Sequence, residues 1–462
     1  MILQRRRNWW PNLPTELVAL TFLAALTRLT AINHPHAIVF DEVYFREYAL
    51  RYLDGSYFFD LHPPLGKLLL AGWAKLLGVR ATATSTDPAV ALRLLPALAG
   101  TALVAVFYLL VRELSGSRPV ATFAAALLLL DNALLVESRF ILIDSMLLLF
   151  GIGALTCYLM SRRCTGRARW TLLGSSAVLA GMAVSTKWTG LGALAMVAIA
   201  WVAHTLRERV GWRRALPQLG ILTLVPTMIY VVVFALHFQL LPRSGPGDAF
   251  MSPRFQSTLL GNPHYNPAAH LPFTSKFIEA NTAIRGYELA LETSHHPYSS
   301  SWISWPVLLR PVYYWTGPHE YLYLQGNPVI WWGLLGGALV VALGWLRHHQ
   351  RLRPHRGALA LLGTGWAVNW LPFATITRPM FLYHYLSAWL YCLAAVSVGL
   401  GALAGWTGSG ERWRLPSTRS AVLYGGILAL AAAGFAFFAP LSYGLPLDES
   451  GLAHRLWLDS WR

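Results

Sequence analysis

Residues 40–67 are FDEVYFREYALRYLDGSYFFDLHPPLGK, an acid-rich stretch between two strongly apolar regions. Asp41 and Glu42 stand side by side near its start, and Asp60 and His62 stand near its end. The pattern from Asp41 to Asp54 predicts a short helix. We expect this helix to end at Gly55, because glycine commonly ends helices. A chain this apolar has little reason to gather carboxylates in one early loop unless they carry out chemistry. We therefore expect the rest of the chain to hold this loop at a membrane surface.

The remainder of the chain is predicted to cross a membrane many times. Hydrophobic residues fill 55% of the 462 positions, 13% are charged, and the mean hydropathy is +0.45. Many apolar runs approach the roughly 20 residues that a helix needs to cross a bilayer. We predict an all-α polytopic membrane protein with one membrane domain over residues 1–462. The predicted spans are 13–32, 90–112, 118–135, 139–161, 170–186, 188–206, 215–236, 328–346, 357–376, 383–405 and 419–441.

The net charge of +16 is explained by topology rather than by nucleic-acid binding. Arginines cluster in alternate loops between the spans, which is the distribution that cytoplasmic loops and anionic lipid headgroups favour. Arg5 to Arg7 then place the N-terminus in the cytoplasm. Residues 33–89 and 237–327 become two large outward-facing loops, and residues 442–462 become an outward C-terminal tail. The partners expected from this pattern are membrane lipids.

The adjacent acids Asp41 and Glu42 have two interpretations. Carboxylates at a helix start are stabilised by the helix dipole and can cap the first turn. A carboxylate at the membrane edge can also act as a general base towards an acceptor hydroxyl. Asp60 and His62 have a similar pair of interpretations, because Pro63 and the proline after it fix a rigid turn that either braces the loop or presents His62 directly.

Several cations lie in or near the outer ends of apolar spans. Arg28, Arg93, Arg139 and Lys187 each need an acidic partner or an anionic ligand, unless they reach the interface by snorkelling. The acids available to pair with them are Asp41, Glu42, Asp131, Glu137 and Asp144. A lipid phosphate is one candidate ligand, and arginine suits it through bidentate donation. Further along the chain, a cluster at the outer end of the tenth span either contacts a phosphate or sugar or forms part of an aromatic belt. This cluster consists of Arg378, Tyr383, His384 and Tyr385.

The sequence lacks the usual motifs of several function classes. The sequence has no P-loop, no GxGxxG fingerprint and no GxSxG elbow, and no metal-ligand spacing stands out. No segment has room for a nucleotide-sugar-binding domain, so a glycosyltransferase with this sequence would need a lipid-linked donor. A transporter or flippase is an alternative, but it predicts acids in the middle of spans, whereas here the acids lie mainly in loops.

The stretch from Phe40 to Lys67 resembles the first outward loop of the protein O-mannosyltransferase family. The resemblance rests on the Asp-Glu pair, on the His-Pro-Pro-Leu-Gly-Lys step, on Arg28 and on the RLLPAL segment at Arg93. Further matching segments follow in order: Glu137 to Ser145, Ser185 to Leu191, Ser244 to Gln256, His296 to Pro306, Gly326 to Pro328, Arg378 to Leu386 and Ala439 to Leu447. The chain is therefore identified as similar to this family over nearly its whole length.

The resemblance implies a GT-C glycosyltransferase fold with about eleven transmembrane helices. It implies inverting transfer of mannose from a polyprenyl-phosphate-mannose donor to protein Ser or Thr hydroxyls. The matching positions make Asp41 the catalytic base and make Glu42, Arg28 and Arg93 residues that the site requires. Residues 237–327 are too few for the β-trefoil domain of eukaryotic members, which indicates a bacterial-type member. Related enzymes glycosylate lipids, so a lipid or glycan acceptor is the alternative.

We accordingly expect Asp41 and Glu42 to be catalytic, without a metal or another cofactor. The donor phosphate is expected to meet Arg93 and also Arg139, Lys187 or His384. The residues expected to organise the site are Arg28, Asp60, His62, Arg378 and Tyr383. The protein is expected in the inner (plasma) membrane, with its active site on the periplasmic or extracellular face.

Overall fold

The computed structural model describes residues 13–80, 87–291, 296–409 and 412–462. Helices dominate this part of the chain. The first eight are α1 (Thr15–Leu29), α2 (Glu42–Asp54), α3 (Leu65–Leu76), α4 (Asp87–Ser115), α5 (Arg118–Leu129), α6 (Asn132–Arg139), α7 (Asp144–Ser161) and α8 (Gly166–Thr186). The others are α9 (Leu191–Arg207), α10 (Trp212–Leu240), α11 (Pro253–Gln256), α12 (Phe273–Ala290), α13 (Pro328–Leu346), α14 (Arg356–Trp370), α15 (Leu386–Leu403), α16 (Thr418–Tyr443) and α17 (Glu449–Ala453).

Each predicted span coincides with a helix or, at 118–135, with the pair α5 and α6. Within the described residues, seven helical stretches are long and apolar enough to cross a membrane, or eight if that bent pair forms one span. Among the helices that coincide with predicted spans, those that fall short are α1 and α14, with 15 residues each, and α8, whose first four residues include two arginines.

The pair α5 and α6 bends by 62°, which the sequence did not predict. Asp131 causes the break, because its side chain accepts a hydrogen bond from the Leu134 amide and so caps α6. The same carboxylate accepts from the Trp331 indole at 2.7 Å. Arg139 consequently ends α6, whereas the span over 139–161 was predicted to begin there; the helix that follows starts at Asp144.

The burial of the helices separates a protein core from a lipid-facing periphery. Most residues of α7 and α15 are buried, whereas α10, α13 and α16 expose large apolar side chains along much of their length. So much exposed apolar surface is unfavourable in water, whereas the hydrocarbon core of a bilayer solvates it. The chain is therefore a multi-pass membrane protein. Arg5 to Arg7, on which the predicted orientation relies, lie outside the described residues.

The first large loop has the local structure that its sequence predicts. Helix α2 ends at Gly55, whose φ of 80° lies in the left-handed region that glycine adopts without strain. Helix α3 is too short to cross a bilayer, and it packs against α2, α4 and α8. The acid-rich stretch is thus held on the helix bundle.

The second large loop contains two strands that the sequence did not reveal. Strand β1 (Val312–Gly317) pairs antiparallel with β2 (Glu320–Leu324), and β2 packs against α6 and α16. Both strands are short and rich in tyrosine, and the burial of β1 alternates while that of β2 does not. The hairpin matters for the site because it places the Tyr314 side chain beside α6.

Candidate active site

A cavity of about 830 Å³ brings together residues from distant parts of the chain. It lies between the start of α2, the turn before α3, the start of α7, the link from α8 to α9, the end of α12 and the segment before α15. Six of the residues predicted for the site line it: Asp41, His62, Lys187, Arg378, Tyr383 and His384. Asp144 and Glu288 line it as well.

Asp41 presents a carboxylate to this cavity. It precedes α2, but its side chain makes no capping hydrogen bond. Burial raises the pKa of Asp41 to about 6; the Lys187 ammonium opposes the rise, and the charges of Asp144 and Asp60 add to it. A carboxylate with a pKa near the working pH is well suited to accept a proton from a hydroxyl.

The backbone before Asp41 is strained. Phe40 has a φ of 48°, a conformation that costs a bulky residue on the order of 1–3 kcal/mol. Its ring is stacked on Tyr314 with the centroids 4.2 Å apart, and it meets the edge of Tyr383 at 6.3 Å. This packing holds the strained turn and thereby sets the direction of the Asp41 side chain.

Glu42 is buried on the opposite side of the same turn. Its two oxygens accept hydrogen bonds from Nε and Nη2 of Arg93, both at 2.7 Å. They also accept from the backbone amides of Val39 and Ile141, both at 2.9 Å. Four donors therefore saturate the Glu42 carboxylate, and it does not reach the cavity.

Arg93 is equally saturated. Its remaining N–H groups donate to the carbonyls of Ile32, Pro35 and Ala37, and its side chain is 1% exposed. All five donors of the guanidinium are then in use, so none is left for a phosphate in this arrangement. The pair ties the first loop to α4 and suits a structural role better than the predicted phosphate contact.

Arg139 and Arg28 also serve the scaffold in this structure. Arg139 donates to the carbonyls of Thr27, Arg28, Thr30 and Ala31, at the end of helix α1 and just beyond it. Its guanidinium lies 4.4 Å from the centre of the Tyr443 ring. Arg28 is buried and contacts the Ala24 carbonyl and the Thr27 hydroxyl. Neither Arg28 nor Arg139 is among the described residues that line the cavity.

Lys187 is the cation that reaches the cavity from the bundle. Its Nζ lies 2.5 Å from Oδ2 of Asp144 and 5.3 Å from the centre of the Tyr383 ring. Sequence reasoning named Asp144 only as an acid available to neutralise a cation. The usable signal was its position, at the start of one apolar helix and opposite a lysine at the end of another.

The other side of the cavity contains a second ion pair. Nε of Arg378 lies 2.6 Å from Oε2 of Glu288 on α12, and burial raises the pKa of Glu288. Sequence reasoning missed Glu288, because nothing in the second loop distinguishes it from a surface acid. The His384 ring is stacked on Tyr383 with the centroids 4.6 Å apart.

Asp60 and His62 belong to the support of the cavity wall. Asp60 forms an ion pair with Lys67, whose Nζ also donates to the His62 carbonyl at 2.5 Å. Burial, together with nearby cations led by Lys187, lowers the pKa of His62 well below its usual value. His62 is therefore neutral, and it lines the cavity while Asp60 faces Lys67.

Comparison with solved structures defines the class. The structure of the S. cerevisiae protein O-mannosyltransferase Pmt1–Pmt2 complex bound to the sugar donor aligns with a TM-score of 0.87 at 20% identity, over 98% of this chain and 93% of that one. The Archaeoglobus fulgidus oligosaccharyltransferase, in complex with Zn and sulfate, aligns with a TM-score of 0.54 at 14% identity, over 96% and 55%. The chain therefore has the fold of the GT-C glycosyltransferases.

Comparison of sequences then gives the family. The model described as dolichyl-phosphate-mannose-protein mannosyltransferase matches residues 18–242, and that of the C-terminal four TMM region of protein-O-mannosyltransferase matches residues 273–461. The chain belongs to the protein O-mannosyltransferase family.

Curated relatives agree with this assignment. Dolichyl-phosphate-mannose–protein mannosyltransferase 4 of Candida albicans is 36% identical over 310 residues, which are 61% of this chain and 40% of the relative. Protein O-mannosyl-transferase 1 of Rattus norvegicus is 36% identical over 272 residues, 53% of this chain and 36% of the relative. The chain thus matches less than half of the length of these relatives.

The buried ion pair between Glu42 and Arg93 leads to a prediction about stability. Arg93→Met would leave the buried Glu42 carboxylate without its cation, which typically costs about 3–5 kcal/mol. Thermal unfolding in detergent should therefore occur at a clearly lower temperature than in the wild type. Arg285→Met, at an exposed position on α12, is the matched control and should unfold near the wild-type temperature. An Arg93→Met variant as stable as this control would contradict the role of the pair.

Proposed function

We propose that this protein transfers mannose from a polyprenyl-phosphate-mannose donor to a Ser or Thr hydroxyl of a protein, with inversion at the anomeric carbon. The observation that carries the proposal is that Asp41 and Lys187, a base and a cation, line one cavity. The family membership and the donor-bound state named for the S. cerevisiae complex support it.

The rest of the cavity suits a lipid-linked donor. Leu147, Leu148, Leu191, Val368 and Ile376 form apolar parts of its wall, against which a polyprenyl chain can pack. Its polar end contains the three groups that we assign to the donor phosphate: Lys187, Arg378 and His384. Lys187 and His384 keep the role predicted for them, and Arg378 is added to it. Arg93 and Arg139 are left out, because their Nη groups donate to protein groups.

The reaction then needs one proton transfer and one displacement. The Asp41 carboxylate takes the proton of the acceptor hydroxyl as the hydroxyl oxygen bonds to the anomeric carbon. The bond from that carbon to the phosphate oxygen breaks, and its electron pair leaves with the polyprenyl phosphate. Fixed positive charge beside the phosphate stabilises this developing negative charge in the transition state. Glu42, through Arg93, holds the turn that positions Asp41.

We further propose the location of the chemistry. The arginine-rich loops favour a cytoplasmic N-terminus, and in that orientation Asp41 would lie on the periplasmic or extracellular face of the inner (plasma) membrane. The names of the curated relatives favour a protein acceptor over the alternative lipid or glycan acceptor. Incubation of the purified protein with the donor and with peptide or lipid acceptors, followed by mass spectrometry of each, distinguishes the two. Mannose found only on lipid would reject the protein acceptor.

Removal of the base tests the reaction itself. Asp41→Asn keeps the shape of the side chain but cannot accept the proton, so kcat should fall by at least roughly a hundredfold. The measurement is transfer of labelled mannose to a Ser/Thr peptide by purified enzyme. Glu47→Gln alters a partly exposed acid of α2, the helix that follows Asp41, and should retain wild-type activity. An Asp41→Asn variant that folds and transfers at the normal rate would eliminate Asp41 as the base.

The pKa of Asp41 predicts the pH dependence. The base must be ionised, so kcat/KM should fall as the pH decreases through about 6. The Lys187 ammonium lowers the pKa of Asp41, so residual activity of Lys187→Gln should show the same fall at a higher pH. Protonation of His62 is not the cause of this fall in kcat/KM, because the pKa of His62 lies well below its usual value. A fall that occurs at the same pH in Lys187→Gln as in the wild type would contradict the assignment of this fall to Asp41.

We also propose that the reaction needs no metal ion, because the Lys187 and Arg378 side chains supply positive charge at the phosphate. Transfer should accordingly keep its wild-type rate after extensive dialysis against EDTA. The same assay with added Mn²⁺ or Mg²⁺ is the control. Loss of activity in EDTA that either ion restores would contradict the proposal.

A further inference from the structure

We propose that Asp144 and Glu137 form a hydrogen-bonded carboxyl pair that positions Lys187, with Asp144 ionised and Glu137 carrying the proton. This inference rests on the proposed function, since Lys187 is assigned there to the donor phosphate. It adds two residues to the site that act through the lysine rather than on the substrate.

The pair lies in a continuous chain of contacts that leads from the hairpin to the cavity. The Tyr314 hydroxyl on β1 donates to Oε2 of Glu137 at 2.8 Å. The Glu137 carboxyl lies within hydrogen-bonding contact of the Asp144 carboxyl. Oδ2 of Asp144 in turn accepts from Nζ of Lys187 at 2.5 Å. Glu137 is 2% exposed, so its carboxyl is shielded from bulk solvent.

The contacts decide which carboxyl carries the proton. Two buried carboxyl groups in hydrogen-bonding contact cannot both be ionised without strong repulsion, so they share one proton. The ammonium of Lys187 lies against Asp144 and favours its ionised form. Among the described residues, the other hydrogen-bond partner of Glu137 is the neutral Tyr314 hydroxyl, so the proton resides on Glu137. Glu137 then donates to Asp144 with one oxygen and accepts from Tyr314 with the other.

The consequence for Lys187 is a fixed direction. An ammonium has three N–H donors, and Asp144 takes one of them, so two can face the cavity. Lysine has a long, flexible side chain, and an anchor at its tip removes much of that freedom. The charge is then already in place when the phosphate begins to leave, which is the condition under which such a charge accelerates a reaction most.

Two amide substitutions separate this arrangement from its reverse. Glu137→Gln supplies an N–H to Asp144 and an oxygen to Tyr314, so it reproduces the protonated acid and should keep kcat within about threefold of wild type. Asp144→Asn removes the anchoring charge and should lower kcat by roughly tenfold while the donor KM changes less than about threefold. Equal losses, no loss in either variant, or a larger loss in Glu137→Gln would each overturn the proposal.

A double-mutant cycle tests whether Asp144 acts through Lys187. In a Lys187→Gln background the anchor has nothing to hold, so adding Asp144→Asn should change kcat by less than about twofold. Costs that simply add would show that Asp144 acts independently, and would overturn its positioning role. Thermal unfolding of each variant identifies any loss that comes from misfolding.

A readout without catalysis separates this proposal from the proposed function. The infrared difference spectrum between wild type and Glu137→Gln should show that the carbonyl band of a protonated carboxyl is lost. The difference spectrum between wild type and Asp144→Asn should show that this band is not simply deleted, because Glu137 still carries the proton. If the wild type transfers no mannose, the proposed function fails, while the spectra still decide the protonation of the pair. The opposite spectral pattern would overturn the pair even in an active enzyme.

Discussion

The buried ion pair between Glu42 and Arg93 is the constraint on which the site depends. Adjacent residues at a helix start point about 100° apart, so burying Glu42 directs Asp41 away from the same core. A buried ion pair contributes little net stability against an apolar alternative, but an arrangement that separates the partners leaves an uncompensated buried charge. Here the pair joins the first loop to α4 and, through the Ile141 amide, to the segment before α7.

The cations of this chain fall into two groups with different chemistry. Arg93 and Arg139 direct their N–H groups to carbonyls and carboxylates of the protein, so they hold loops and helix ends in place. Lys187 and Arg378 each have a single carboxylate partner in the described contacts and line the cavity. We propose that a lipid phosphate entering the cavity would meet the second group, while the first group keeps the surrounding walls in place.

Much of this architecture could be predicted from the sequence, because bilayer thickness and charge bias act on composition alone. The positions of the apolar helices, the helix after Asp41 and its end at Gly55 followed from such local patterns. The bend at Asp131 and the strands from Val312 to Leu324 did not, because each depends on partners that are distant in the chain. For the same reason, sequence placed Arg93 near the site but could not show that its donors were already used. Asp144 was visible only as a spare acid until its contact with Lys187 was known.

The most direct test of this site is a cryo-EM structure of the protein with a non-hydrolysable polyprenyl-phosphate-mannose analogue. We predict density for the phosphate in the cavity, within hydrogen-bonding distance of Lys187, with the anomeric carbon facing Asp41. The hydrogen bonds between Glu42 and Arg93 should remain intact in that complex. A phosphate bound to Arg93, with its bonds to Glu42 broken, would contradict the account.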